Sequence, residues 1–268
     1  MEATATARGR AWSGLAWKIF LAALSMAAAA SASAQQASAS AADTWQFTVT
    51  PYLWGAGQSG SARIGNVIPA QNVDATFSDI LSNLDFGAMA TFEARKDRWG
   101  ILADAFYIKL SHTSDPLLGG DLGTAQFQGT NTLVEVAGAY RAWENNTAFF
   151  DVLLGVRYFN LSATIQLYPS KLLPKGRYES NSVDWTDGFV GIRSKWMFAE
   201  RWSVLGYADV GTGGSEYSYQ LIAGLGWNIS KTFEVDLGYR LLQEDYSKTD
   251  FLYDMRTAGP YLGLSISW

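Results

Sequence analysis

One histidine stands in the 268-residue sequence, His112 in SHTSD, and a hydroxyl follows two positions later at Ser114. An imidazole beside a hydroxyl is a general base beside a nucleophile, the chemistry of a serine hydrolase. Residues two apart on a strand share a face, so the pair could meet. The acid that would orient the imidazole is missing, because Asp115 adjoins Ser114 and its side chain points the other way. A lone histidine where a strand runs into a loop is far more often a solvated residue. The chain is therefore read as a non-enzyme with no catalytic residue.

Other reactive constellations are equally thin. Asp121, Asp245, Asp250 and Asp254 fall in expected loops, but without the spacing of an EF-hand. They read as solvated carboxylates facing divalent ions at a lipid surface. There is no cysteine, which removes disulfides and thiolate metal sites. GTGGSE lacks the strand-to-helix setting of a phosphate cradle. No metal and no cofactor is expected.

The informative polar residues are charges of both signs that share one face of alternating segments. They are Asp85, Glu93, Arg95, Asp104, Glu135, Arg141, Asp151 and Arg157, followed by Asp187, Arg193, Lys195, Asp209, Glu234, Asp236 and Arg240. Such a near-balanced set can line a narrow aqueous path, or pair and fill it. Balance favours pairing. An excess of acids would give any residual path a slight preference for cations.

The elements that carry these charges read as strands. From Trp45 onward the period is two: Phe233, Val235, Leu237, Tyr239 and Leu241 alternate with Glu234, Asp236, Gly238 and Arg240. Short links (KDR, ENN, AER, NISKT) alternate with longer ones around 112–123, 168–182, 211–215 and 244–254. Tight periplasmic turns and longer external loops give outer-membrane barrels this asymmetry. Nine strands follow Leu84, and WQFTVTPYLW adds a tenth. The segment 55–83 is then an external loop holding a hairpin (SARIG, NVDATF) and a helical turn at SDILSN. Were that hairpin to cross the membrane, the strand count would be twelve.

The apolar face is continuous from strand to strand, and its aromatics gather beside the tight turns. These are Trp45, Phe92, Tyr140, Phe150, Trp196, Phe198, Trp202, Trp227, Phe233 and Trp268. Amphipathic rings favour that depth at a membrane interface. A sheet in hydrocarbon can have no free edge, so the fold expected is a closed transmembrane antiparallel β-barrel.

The amino terminus agrees with export. Arg8, Arg10 and Lys18 precede the apolar IFLAALSMAAAA and the small residues Ala32 and Ala34, which reads as a signal peptide over 1–34. Residues 35–44 read as a flexible lead-in and 45–268 as the barrel domain. Removing three bases and Glu2 from totals of 20 and 25 leaves 17 bases against 24 acids, a net charge of −7. An acidic exported chain is a poor match for nucleic acid.

TPYLW (50–54), FSDILSNLDFGAM (77–89) and EARKDRWG (93–100) resemble segments of uncharacterised proteobacterial outer-membrane barrels of the porin-like type. The resemblance covers about the first third of the mature part. It implies place and fold, the bacterial outer membrane and a barrel, and no activity. The tail from Tyr261 to Trp268 is similar to the carboxy-terminal signal read by the barrel-insertion machinery, with Trp268 where Phe is usual. His112 and Ser114 resemble the pair of outer-membrane lipid A deacylases, although there the pair lies near the carboxy terminus. The function expected is a porin-like or structural surface protein with a small charge-lined lumen. A membrane-embedded hydrolase and a surface adhesin or scaffold acting through the loops stand as alternatives. The partners expected are outer-membrane lipids, lipopolysaccharide and the insertion machinery, around a monomer.

Overall fold

The computed structural model describes residues 44–64, 70–114, 123–171, 174–248 and 251–268. The signal peptide at 1–34 and the lead-in up to residue 43 lie outside the described residues, as do Asp115, Asp121 and Asp250. In order, the strands are β1 (Gln46–Trp54), β2 (Gly57–Ile64), β3 (Gln71–Ala75), β4 (Leu84–Lys96), β5 (Trp99–Thr113) and β6 (Ala125–Glu144). There follow β7 (Ala148–Leu167), β8 (Arg177–Ala199), β9 (Trp202–Gly213), β10 (Tyr217–Asn228), β11 (Phe233–Lys248) and β12 (Phe251–Ser267). One short helix, α1 (Phe77–Ser82), separates β3 from β4.

Every neighbour pair is antiparallel, and β1 pairs with both β4 and β12, so β1 and β4 to β12 close into a ten-stranded barrel. The remaining two strands do not enter the ring. β2 prolongs β1 in one unbroken register along β12, from Thr48↔Ser267 through Trp54↔Tyr261 and Gly57↔Ala258 to Ile64↔Phe251. β3 folds back on β2 alone. This hairpin carries Gln58, Ser59, Ser61, Gln71, Asn72 and Asp74, so neither of its faces could meet hydrocarbon. It rises above the ring, and the count that crosses is ten. At Gly60 (φ 156°) an added Cβ would collide with the Asp254 carbonyl, which ties that step of the junction to glycine.

At one rim, the turn rim, strands are joined by short links. Asp97 takes a positive φ of 50° in the two-residue link after β4, a conformation aspartate tolerates. Asn145 Oδ1 accepts from the amides of Thr147 (2.9 Å) and Ala148 (2.7 Å), shaping the link after β6. At the opposite loop rim the strands overshoot. β6 and β7 have 20 residues each and β8 has 23, against about 9–11 needed to span a bilayer. This corrects two of the expected long links. Most of 244–254 belongs to the β11–β12 ladder, which pairs out to Lys248↔Phe251, and 211–215 is largely absorbed into β9.

Outward-facing side chains are apolar and open: Leu154 is 70% exposed, Val210 61% and Leu237 56%. A water-soluble sheet protein would cover such a belt. No described helix is long and apolar enough to cross a membrane, so crossing falls to the strands. The aromatic residues singled out in the sequence lie on the outer surface beside the turn rim. Trp99 and Trp143, overlooked there, are 67% and 52% exposed at the same level. Trp99 packs against Tyr140 with tilted rings at 4.9 Å, and Trp202 stacks with Trp227 at 6.2 Å.

Candidate functional site

The lumen is the candidate site, and strand parity builds it in three layers. The layer toward the loop rim is apolar. Phe159 stacks on Trp185 (4.7 Å between centroids), and Trp185 stacks on Tyr246 (4.5 Å). Phe106 meets Phe159 and Trp54 edge-on, and Leu133, Leu242, Tyr253 and Met255 complete the buried cluster. Treating apolar residues as outward-facing hid this plug from the sequence. Parity could have found it, since Phe159 lies two positions from Arg157, and Trp185 two from Asp187.

The middle layer is ionic. Arg157 is wholly buried, and its guanidinium spans several strands. Nη2 donates to both oxygens of Asp209 at 2.8 Å, Nε donates to Glu135, and Nη1 donates to Ser218 Oγ at 3.1 Å. Ser218 passes a bond on to Asp187 (2.9 Å), which also accepts from the hydroxyl (2.6 Å) and amide (2.8 Å) of Ser215. Gln220 bridges Glu135 and Asp209. Nearby, Arg240 donates to Tyr52 (2.7 Å), Tyr52 donates to Asp104 (2.8 Å), and Asp104 closes the triangle onto Arg240 at 2.6 Å. Partners of this kind offset the cost of burying these charges. Glu244 joins this layer unforeseen. It is 1% exposed, and its Oε1 has no hydrogen-bond partner.

The layer toward the turn rim is looser. Asp151 is buried and accepts from Arg95 (2.8 Å), Arg141 (2.9 Å) and Arg193 (2.8 Å). Glu93 takes Arg95 and Arg193, each at 2.8 Å. Lys195 pairs with Glu234. Glu93, Arg95, Arg141, Arg193, Lys195 and Glu234 line an open vestibule of about 370 Å³ whose deeper wall includes Tyr52, Arg240 and Tyr261.

Of the charges expected in the lumen, fourteen lie in these layers or line this vestibule. Asp85 does not. The ladder slips between Leu84 and Phe86, and this bulge sets Asp85 at the exposed loop rim, where Ser111 donates to it at 2.7 Å. A bulge shifts facing by one residue, which alternation alone does not reveal.

His112 and Ser114 lie at the same rim. The His112 ring meets Asn83 Oδ1 through Nδ1 at 2.9 Å, and Ser114 Oγ accepts from the Ala125 amide at 3.0 Å. Also at this rim, Asp245 faces Asp254 directly across the ladder. Its partial burial, then Asp254 and Glu216, hold its carboxyl above the usual range. Among the described residues, no cluster of three or more acids or histidines is arranged to hold a metal ion.

No protein family and no curated protein matches the sequence. Solved structures do match in shape. The outer-membrane protease OmpT of Escherichia coli aligns with a TM-score of 0.50 at 9% identity, over 87% of this chain and 99% of that one. The attachment invasion locus protein Ail of Yersinia pestis aligns at 0.39 with 14% identity, over 84% and 99%. Neisserial surface protein A gives 0.35 with 10% identity, over 84% and 99%. At 9% identity the likeness to OmpT speaks to fold alone. It agrees with the open apolar belt and the closed ring, which make this chain a transmembrane β-barrel of the outer-membrane type.

Proposed function

We propose that this protein is a structural surface barrel of the porin-like type, with its turn rim toward the periplasm and its lumen closed to solutes. One observation carries the reading. The lumen is blocked twice over, by the aromatic layer around Trp185 and by the Arg157 layer beneath it. Ten strands enclose little space to begin with, and here that space is occupied by side chains that hold one another. Passive passage of small solutes, the alternative within the same reading, would need both layers to part.

The test is electrical. Mature protein inserted in planar bilayers is expected to give no unitary conductance steps. Regular, reproducible steps with a fixed ion preference would overturn the reading.

A second reading, a surface scaffold or adhesin, draws support from the overshooting strands. The first six residues of β8, Arg177–Ser182, are exposed on both faces, as befits a ribbon standing clear of the bilayer. Tryptic cleavage of intact cells at Lys171, Lys175 or Arg177 would support that placement, and complete protection would refute it. The hydrolase reading draws less, because Asn83 and the Ala125 amide engage the two groups it needs. The proposal gives the chain no catalytic role. It takes as contacts the outer-membrane lipids and lipopolysaccharide around a monomer, delivered by the insertion machinery through β12.

A further inference from the structure

The vestibule at the turn rim is blind, because the Arg157 and Trp185 layers close it above. Its volume of about 370 Å³ lies at the small end of the range for small-molecule sites. Its two sides differ in charge. On the side built by β4 to β8, three guanidiniums (Arg95, Arg141 and Arg193) share the two lumen carboxylates of Glu93 and Asp151. The remaining partner of Arg141, Glu144, is half-exposed at the rim. Two of the three bases still hold a buried N–H with no acceptor: Nη1 of Arg95 and Nε of Arg193. Buried donors are normally satisfied, so these two stand out.

The opposite side, built by β11, β12 and β1, is acidic and rich in hydroxyls. Asp236 accepts Ser265 Oγ at 2.6 Å and has no ion-pair partner among the described residues. The cation nearest in kind, Lys195, is taken by Glu234. Thr50 and Ser265 exchange a hydroxyl bond at 2.7 Å beside it, and Tyr261 lines the same wall.

We propose that this vestibule binds a small zwitterion, with its anionic group against Arg95 and Arg193 and its ammonium group against Asp236. A simple anion would satisfy the guanidinium side but face Asp236 unpaired, and a simple cation would have the reverse defect. Only a ligand carrying both charges complements both walls. Either a free peptide-like zwitterion or the phosphoethanolamine part of a lipid meets that description. The inference goes beyond the closed barrel, since a pocket with these two walls can bind whether or not the lumen ever conducts.

Calorimetric titration of the mature chain in detergent micelles tests it with four probes: dialanine, N-acetyl-dialanine, dialanine amide and glycerophosphoethanolamine. Dialanine or glycerophosphoethanolamine should bind about tenfold or more tightly than either singly charged analogue. Whichever of the two binds more tightly identifies the source. Asp236→Asn, nearly isosteric, should reduce dialanine to the level of its N-acetyl form and leave that form unchanged. Arg95→Gln should weaken both. Heat-shifted gel mobility shows whether each variant still forms the barrel. Equal binding of charged and blocked probes, no binding at millimolar concentration, or an Asp236→Asn protein that binds as the parent does would overturn the inference.

Discussion

The lumen's two closing layers solve one problem with opposite chemistry. Toward the loop rim, Phe159, Trp185, Tyr246 and Tyr253 fill space with stacked and tilted rings, which ask little of their neighbours beyond shape. In the middle, Arg157 fills space with a charge that Glu135, Asp209 and Ser218 must all attend. Apolar packing tolerates rearrangement, whereas a buried ion network is worth its place only when complete. The aromatic layer can therefore supply bulk stability, while the ionic layer ties β6, β7, β9 and β10 into one register.

The largest effect should come from breaking the ionic layer. Arg157→Ala strands Glu135 and Asp209 in the lumen and should cost about 3–5 kcal/mol, read as a drop in urea midpoint in micelles. A triple change of Arg157, Glu135 and Asp209 to Leu sharpens the comparison. If the layer sets register and adds little stability, the triple variant should regain most of that loss but show a less uniform backbone by amide NMR.

Trp185→Ala tests the other layer. It removes the ring that touches Phe159, Tyr246 and Tyr253, and should also cost about 3–5 kcal/mol. It should leave the protein non-conducting, because the Arg157 layer remains. Conductance should appear only when Trp185→Ala and Arg157→Ala are combined. Steps from the first variant alone would mean that the ionic layer does not block.

The smallest effects lie at the loop rim and run in opposite directions with pH. Asp79 accepts from the hydroxyl (2.6 Å) and amide (3.0 Å) of Thr76, which holds its carboxyl below the usual range. Its contribution to α1 is complete above the unfolded value of about 3.9 and fades as pH falls through the lower folded value. Asp245 is shifted upward, so its contribution is complete below about 3.9 and is lost as pH rises through the raised folded value. Amide shifts at the two sites, followed through acid titration, should show α1 loosening at the low end while the β11–β12 tip tightens. Asp79→Asn should abolish the first response and leave the second.

Much of this could be read from residue order. Alternation placed the strands, the asymmetry of the links gave ten crossings, and the hairpin with its helical turn was visible in 55–83. Thr76 and Asp79 carry that helix start as a reciprocal cap. The lumen was legible only in part. A charge inside a barrel contrasts with its apolar neighbours, so Arg157 and Arg193 were visible. Phe159 and Trp185 were hidden because apolar residues were read as outward-facing, although the outer positions beside Trp185, Asp184 and Thr186, are polar. Asp85 was misplaced by a bulge, and Glu244 was missed because 244–254 reads as a loop although the β11–β12 ladder runs through it. Pairing partners across the lumen, such as Arg193 with Glu93 a hundred positions away, depend on three-dimensional closure, and no local pattern encodes them.

The junction of β1 with β12 has a kinetic meaning. Thr48 and Ser267 share a hydroxyl contact across 219 positions of chain, and every rung of that seam spans a comparable distance. Loops of that length are slow to close, so the cylinder must be zipped from its local hairpins and sealed last. Until the seam forms, both flanking strands present bare amides to their surroundings. An unsealed intermediate is then the stage most in need of shelter, and the stage at which a substitution on either side of the seam would be felt first.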